Sequence, residues 1–259
     1  MADRDLRTHL LDHRIAGDVA TPREDNLRNI RRMLARHDAQ HFGLQLRRDW
    51  SFAEVLDVMS RRAGLRSEAA YDAGPDTIDV ELTLAALDRV RDRLALAAQR
   101  RERVLIATGH PTGILQLHLD VAAALRAAGC ALLVPDVRAW SWPWESDSDG
   151  TRRRPRHVRA LGGVHVLAAG GELMHTHAAE PGRALLAALQ APPDLVVADH
   201  GFAGAAAQAG LEVLAYADSN DPALFVAQEE GADLVVVPLD DNVLPHLYDP
   251  LSAHLTAWS

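Results

Sequence analysis

The sequence predicts an α/β protein: a Rossmann-like, doubly wound, mostly parallel sheet with an N-terminal helical subdomain. Three observations lead there. From Arg103 onward, short runs rich in β-branched residues alternate with Ala-rich helical stretches, the order of a doubly wound sheet. Those runs are apolar nearly throughout instead of at every second position, which suits strands buried on both faces. Before residue 100 the apolar residues recur at helical spacing. The boundaries expected are a helical subdomain over 1–100 and an α/β domain over 101–259. The 259 residues suffice for one large domain, or for a core with a smaller companion.

The elements follow in chain order. Thr21-Pro22 opens a charged helix reaching about His37, with proline in the first turn. Ser51 caps a second helix, and Glu54 completes a capping box. Asp76 or Thr77 starts a third, whose Leu and Val residues fall three and four apart on one stripe. Strands are expected at 104–108, 131–135, 157–161, 164–168, 195–198, 213–217 and 234–238. Helices are expected at 112–128, 181–190, 202–210, 221–230 and 242–257. Gly162-Gly163 joins two of the strands as a hairpin inserted into the parallel pattern. Residues 139–156, with three Trp, an acidic run and then Arg152, Arg153, Arg154 and Arg156, fit neither texture. They read as an insertion loop, packed loosely or acting as a lid that meets an anion.

Composition narrows the function. A net charge of −9 argues against a nucleic-acid footprint. All 27 residues of the Lys/Arg class are Arg, which removes a Schiff-base or P-loop lysine and leaves Arg, backbone N–H groups or a metal to hold an anion. Cys130 is the single cysteine, so no internal disulfide forms. The first residues lack an apolar signal region, and no apolar run approaches the roughly 18 residues of a membrane span. A cytoplasmic protein with no membrane partner is expected. The Ala and Leu surplus of the third helix makes it a candidate homodimer face.

Ligands of open α/β sheets bind beyond the carboxyl ends of the strands. Four polar clusters stand there: Gly109-His110-Pro111-Thr112-Gly113, Asp199-His200-Gly201, Asp218-Ser219-Asn220-Asp221 and Asp240-Asp241-Asn242. Asp, Ser and Asn before a helix are also ordinary N-caps. One cap needs only one such residue, however, so Asp218 and Asn220 remain unexplained beside Asp221-Pro222. Asp199, His200, Asp218 and Asp221 are candidate metal ligands. Oxygen donors of this kind suit Mg²⁺ or Mn²⁺, and an imidazole widens the choice to Co²⁺ or Ni²⁺. Gly109, Thr112 and Gly113 form a candidate phosphate cradle at a helix N-terminus, with Asn220, Asp240, Asp241 and Asn242 as further substrate contacts. His110, His175 and His177 are candidate acid–base groups, and Asp199 is a candidate catalytic carboxylate. Asp12, His13, Asp18, His37 and His41 carry no functional spacing and are expected to be structural. The segment 15–22 is within reach of the sheet edge.

The segments RIAGDVATPREDN, ATGHPTGIL, LVVADHGFAGAAAQAG, ADSNDPALFVAQEEG and VVPLDDNVLPHLY resemble an actinobacterial family of phosphatases over about residues 5–257. A fainter similarity is to metal-dependent damage-control phosphatases, whose Asp-Asn and Asn-Asp motifs correspond to Asp199-His200 and Asn220-Asp221. Position 200 departs from that pattern, with His in place of Asn. The resemblance implies a phosphoric monoester hydrolase that uses a divalent metal on a small phosphorylated metabolite. In that scheme Asp199 and Asp221, with His200 or Asp218, hold the ion, the N–H groups of residues 110–113 stabilise developing charge, and one of the histidines protonates the leaving oxygen. Two other classes fit the same scaffold: a lyase, cyclase or isomerase of a small acid or sugar, and a non-catalytic nucleotide or metabolite binder. A dinucleotide oxidoreductase is disfavoured, since no GxGxxG follows a strand.

Overall fold

The computed structural model describes residues 3–142 and 155–258. Helix α1 (Asp3–Asp12) and strand β1 (Gly17–Pro22) precede helices α2 (Arg23–Leu34), α3 (Asp38–His41) and α4 (Phe52–Ala63). Strand β2 (Pro75–Ile78) pairs antiparallel with β1, so the N-terminal part is not helical throughout, contrary to its expected texture. Helix α5 (Val80–Arg100) leads into β3 (Arg103–Thr108), α6 (Leu115–Ala127) and the two-residue β4 (Ala131–Leu132). There follow β5 (Arg156–Leu161), β6 (Val164–Ala169), β7 (Glu172–Met174), α7 (Glu180–Ala187) and β8 (Leu195–Asp199). The chain closes with α8 (His200–Gln208), β9 (Val213–Ala217), α9 (Pro222–Glu229), β10 (Leu234–Pro238), a 3₁₀ turn (Pro245–Tyr248) and α10 (Asp249–Leu255).

Local chemistry sets the helix starts. Ser51 and Glu54 exchange the two bonds of a capping box at α4, as the sequence predicts. Helix α5 begins at Val80, later than expected, because Asp79 is the cap and accepts the N–H groups of Glu81 and Leu82 at 2.7 and 3.1 Å. Asp76 is occupied elsewhere. Its carboxylate takes Arg23 Nη1 and Asn26 Nδ2, both at 2.9 Å, and the N–H of Arg66 at 3.1 Å. Thr21 and Pro22 lie in β1, and Pro22 is the N-cap of α2 instead of its first turn. That helix ends at Leu34, short of His37. The expected helix 242–257 is delayed to the turn at Pro245, because the Asn242 N–H is taken by the Asp240 side chain at 3.0 Å.

The main sheet runs β10-β9-β8-β3-β6-β5, parallel from β10 to β6, with β5 antiparallel at the edge. The β5–β6 hairpin turns at Gly162-Gly163 as expected. Only Ala131 and Leu132 of the expected strand 131–135 pair with β3, because β6 takes over that side of β3 from Ile106 onward. Strand β7, not anticipated, folds back on the far half of β6 and carries the chain beyond the end of β3. The chain leaves β3 toward β4 and β6 on one side, then crosses to β8, β9 and β10 on the other. The loops after β3 and β8 therefore flank the switch point, where α/β sheets open a crevice.

Alternate residues of each strand enter opposite cores. Leu105, Ala107, Val196, Ala198, Val213 and Ala215 pack on one face with Leu27, Ile30, Phe42, Val55, Met59 and Phe225. Val104, Ile106, Leu195, Val197, Leu214 and Tyr216 pack on the other with Leu6, Leu10, Leu87, Val90, Val121 and Leu251. The N-terminal helices thus supply part of both covering layers. Among the described residues no helix is long and apolar enough to cross a membrane. Residues 143–154 of the expected insertion, including Arg152, Arg153 and Arg154, lie outside the described residues. At the insertion's ends Trp142 bridges to Arg156, which stacks over its ring at 4.9 Å.

Two expectations test this packing. A Cβ on Gly204 would lie 2.0 Å from the Phe42 carbonyl oxygen and 2.7 Å from its Cβ, so Gly204→Ala must push α8 off the α3 segment. A loss of about 1–3 kcal/mol is expected in denaturant unfolding. Arg23 and Asp76 are a fully buried pair, and Arg23→Met would strand the carboxylate. The expected loss is about 3–5 kcal/mol, read in the same experiment, and a wild-type midpoint would refute the pairing.

Candidate functional site

The four strand-end clusters converge. Asp199 ends β8 fully buried. Its Oδ1 accepts the Gly109 N–H at 2.6 Å and faces His200 Nδ1 at 2.8 Å. Gly109 is required there, since a Cβ would lie 2.4 Å from the Thr176 carbonyl oxygen. The other oxygen, Oδ2, has no hydrogen-bond partner and lies 3.5 Å from His118 Nε2, which is buried and equally unpartnered. His200 opens α8 with φ +44, a strained backbone for a non-glycine residue. That conformation sends its Nε2 toward Asp221 Oδ2 at 3.4 Å and Asp241 Oδ2 at 3.5 Å.

The segment after β7 completes the ring. The Thr176 N–H donates to the Gly109 carbonyl at 2.8 Å, which pins His175 and His177 against the cluster. His175 stacks on His110 at 4.4 Å between ring centroids, and His177 stacks on His200 at 4.6 Å. Phe42 stands edge-on to both His177 and His200. His110 Nδ1 lies 3.0 Å from Asp241 Oδ1, without the alignment of a full hydrogen bond. Among the described residues, three groups of side chains offer donor atoms close enough to share one ion: His110, His175 and His200; His177, His200 and Asp221; and Asp218, Asp240 and Asp241.

Electrostatics divides these residues. Burial alone would suppress the positive form of His200, but Asp221, Asp199 and Asp241 outweigh it and lift the imidazole to about 10. Burial would likewise raise Asp199, yet the hydrogen bond and charge of His200, with His118 and Thr108, hold it near 2. Burial raises Asp221 to about 6, opposed in part by His200 and reinforced by Asp241. Asp218 is driven well above the usual carboxylate range by burial and by Asp241 and Asp240. Burial and the charge of His200 depress His175 to about 4 and His177 to about 3, so both are neutral near pH 7. His110 moves the other way: its burial is overcome by Asp241, and it holds a proton more readily.

Strand β1 and the start of α2 cover the acidic side. Thr21 Oγ1 donates to Asp218 Oδ2 at 2.5 Å, and the Ala20 N–H donates to Asp240 Oδ2 at 3.2 Å. Asn26 accepts from Ser219 Oγ at 3.1 Å, and Asn29 Nδ2 donates to the Asn220 carbonyl at 3.0 Å. The segment 15–22 does reach the sheet edge, while Asp18 itself is exposed. Thr21, Asn26, Asn29, His118 and Phe42 were not singled out by sequence reasoning. His118 sits mid-helix and Phe42 in a short connection, so neither carries a local signal.

The expected phosphate cradle is placed differently. Gly109 donates to Asp199, His110 to Thr108 Oγ1, and Gly113 to the His110 carbonyl, so these N–H groups are already committed. Pro111 has none. Gly113 backs onto the Asp241 carbonyl, where a Cβ would lie 1.9 Å away, and the Thr112 side chain is exposed. The N–H groups of Gly109, His110 and Gly113 thus hold the Asp199 carboxylate and the turn itself. Asn242 is exposed at the rim, and Asn220 is engaged through its backbone.

The whole chain has close relatives. It is 46% identical over 257 residues to Phosphatase SCO2771 of Streptomyces coelicolor, covering 97% of this chain and 94% of that protein. Its residues 1–258 match the family described as Phosphatase. With the strand-end cluster embedded in a match of that length, the chain belongs to the phosphatase family.

Proposed function

We propose that the protein is a metal-dependent phosphatase acting on a small phosphorylated metabolite, with its centre at the His200–Asp221–Asp241 junction. One observation carries this reading. His200 Nε2 faces two buried carboxylate oxygens at 3.4 and 3.5 Å with no hydrogen bond to either, and Asp241 Oδ2 has no partner at all. Donors around a tetrahedral ion with bonds of about 2.1 Å stand roughly 3.4 Å apart. The two distances from His200 Nε2 therefore suit a divalent cation, and the electrostatics favour one, because this corner stabilises positive charge on Nε2. A proton and a metal ion compete for that position.

His177 joins His200 and Asp221 in a group whose donor atoms are close enough to share one ion. A mixed imidazole–carboxylate set favours Mn²⁺, Co²⁺ or Ni²⁺, while the Asp218–Asp240–Asp241 group suits Mg²⁺ or Mn²⁺. Asp199 then serves from beneath: its Oδ1 fixes the His200 tautomer and ring, as carboxylates behind metal-binding histidines do. Such an ion lowers the pKa of water and withdraws charge from phosphoryl oxygens. His110, held by Asp241, carries the proton for the leaving oxygen. His175, neutral and stacked on His110, is placed to take up or relay a proton at the open side of the cluster. Phe42 and the β1 segment carrying Thr21 keep bulk water from the acidic floor.

Two experiments test the reading. Metal content of the purified protein is measured beside phosphate release from a metabolite panel, with and without Mg²⁺, Mn²⁺, Co²⁺ and Ni²⁺. Release that depends on metal is expected. A metal-free protein inert in every condition would sink the proposal, and consumption of a substrate without phosphate release would favour the lyase or isomerase class. Asp199→Asn keeps the shape but misorients His200, so metal affinity or kcat should fall about 10–100-fold with the circular dichroism unchanged. Asp241→Asn removes a direct donor and should cost metal binding more than Asp199→Asn does. The reverse ranking would move the ion away from this junction.

A further inference from the structure

Two of the donor groups at the strand ends share no residue. His177, His200 and Asp221 form one, and Asp218, Asp240 and Asp241 form the other, with the ligand atoms of each within 4.8 Å of one another. The first mixes nitrogen with oxygen. The second offers oxygen alone, which suits a hard divalent cation such as Mg²⁺ or Mn²⁺. Among the described residues no such group joins Asp218 or Asp240 to a histidine, so an ion at His200 leaves these two acids unserved.

The second group lacks a balancing charge. Asp218, Asp240 and Asp241 are 4%, 1% and 4% exposed. Carboxylates buried so deeply persist only with a compensating charge or full hydrogen bonding. Asp218 and Asp240 receive neutral donors: the Thr21 hydroxyl and the backbone N–H groups of Ser219, Ala20 and Asn242. Arg14 attracts Asp240 through space, but its Nε and Nη2 donate to the Asp18 and Val19 carbonyls at 2.8 and 2.7 Å. Asp241 adds a separate sign of a ligand. Its Oδ2 is buried with no hydrogen-bond partner and lies 3.5 Å from His200 Nε2. An unmet carboxylate oxygen, on a residue that faces the imidazole and also belongs to the acidic group, is the atom a shared ligand uses. The two groups are held side by side by the Asp218 N–H, which donates to Asp221 Oδ2 at 3.3 Å.

Resting on the metal-dependent reading of the His200 junction, we propose that Asp218, Asp240 and Asp241 hold a second divalent cation beside the first, with Asp241 shared between the two. A pair of adjacent ions supplies a clamp on the attacking and leaving oxygens of a phosphoryl transfer. Asn242, next to Asp241 in the chain, is exposed, so the acids lie just beneath the surface.

Metal-stripped protein is titrated with Mn²⁺ in a calorimeter, and bound ions are counted by elemental analysis. Wild type should bind two ions per chain, and Asp240→Asn one. Asp218→Asn is a second variant with the same expectation, and circular dichroism checks that both are folded. Asp12→Asn, which removes an exposed acid at the end of α1, should bind as wild type does. Two Mn²⁺ ions that share a carboxylate couple magnetically. The electron paramagnetic resonance spectrum of loaded wild type should therefore be broadened, and that of Asp240→Asn should show the hyperfine pattern of an isolated ion. If neither acid variant folds, the wild-type count and spectrum still decide. One ion or none in wild type overturns the proposal, and means that protons neutralise these acids. Undiminished binding in both folded acid variants overturns it as well, because the second ion then lies elsewhere. Phosphate release is followed in the same samples. Metal-dependent release with a single ion leaves the phosphatase reading standing without the second site. Two coupled ions with no release on any substrate establish the second site and remove the phosphatase reading.

Discussion

Five carboxylates, those of Asp199, Asp218, Asp221, Asp240 and Asp241, are buried together at one edge of the sheet. Removing an ion from water costs several kcal/mol even after relaxation, about the size of a domain's whole stability when repeated. The charged groups that reach Asp199, Asp221 and Asp241 are imidazoles. Asp218 and Asp240 instead receive hydroxyl and backbone N–H donors. Much of the surrounding structure answers to this constraint. The β3 loop turns its N–H inward to Asp199, strand β1 lays donors on Asp218 and Asp240, and α8 begins in a strained conformation that places His200 among three acids.

The N-terminal segment is tied to the site by a continuous polar chain. The buried Arg23–Asp76 pair ties α2 to β2, Asn26 donates to Asp76 and accepts from Ser219, and Ser219 bonds Asp218. Arg23 also binds the Tyr71 and Glu68 carbonyls, which orders a long connection that has no regular structure of its own. A change at Arg23 thus loosens a loop, the β1–β2 pairing and the buried Asp218 carboxylate together. Stability and site geometry share these contacts, which is a common reason for buried polar networks to specify a single arrangement.

The four clustered histidines differ because their neighbours differ. His200 is surrounded by carboxylates and favours positive charge. His175 and His177 are buried beside His200, and burial followed by its charge makes them favour the neutral form. His110 has one acid, Asp241, and lies between these extremes. Separated proton affinities on adjacent groups are what acid–base chemistry at neutral pH requires. The division arises from placement, since all four residues have the same intrinsic chemistry.

The sequence by itself determined the strand–helix alternation, the doubly buried strands, the Gly162-Gly163 hairpin and the Ser51 capping box, because each depends on local periodicity or on neighbours within four residues. It also placed the acidic clusters at strand ends, since the strand boundaries were legible and parallel strands put their ends on one edge. Only the tertiary structure decided which oxygen faces which nitrogen. His118, Thr21, Asn26 and Phe42 join the site from segments 81 to 197 residues removed from their partners Asp199, Asp218, Ser219 and His200, so no spacing rule could reveal them. The same holds for the loop 109–113. Its glycines read as a phosphate cradle, but the fold presses Gly109 against Thr176 and Gly113 against Asp241. Local pattern reports what a backbone can adopt, whereas the contact that makes a glycine necessary comes from another part of the chain.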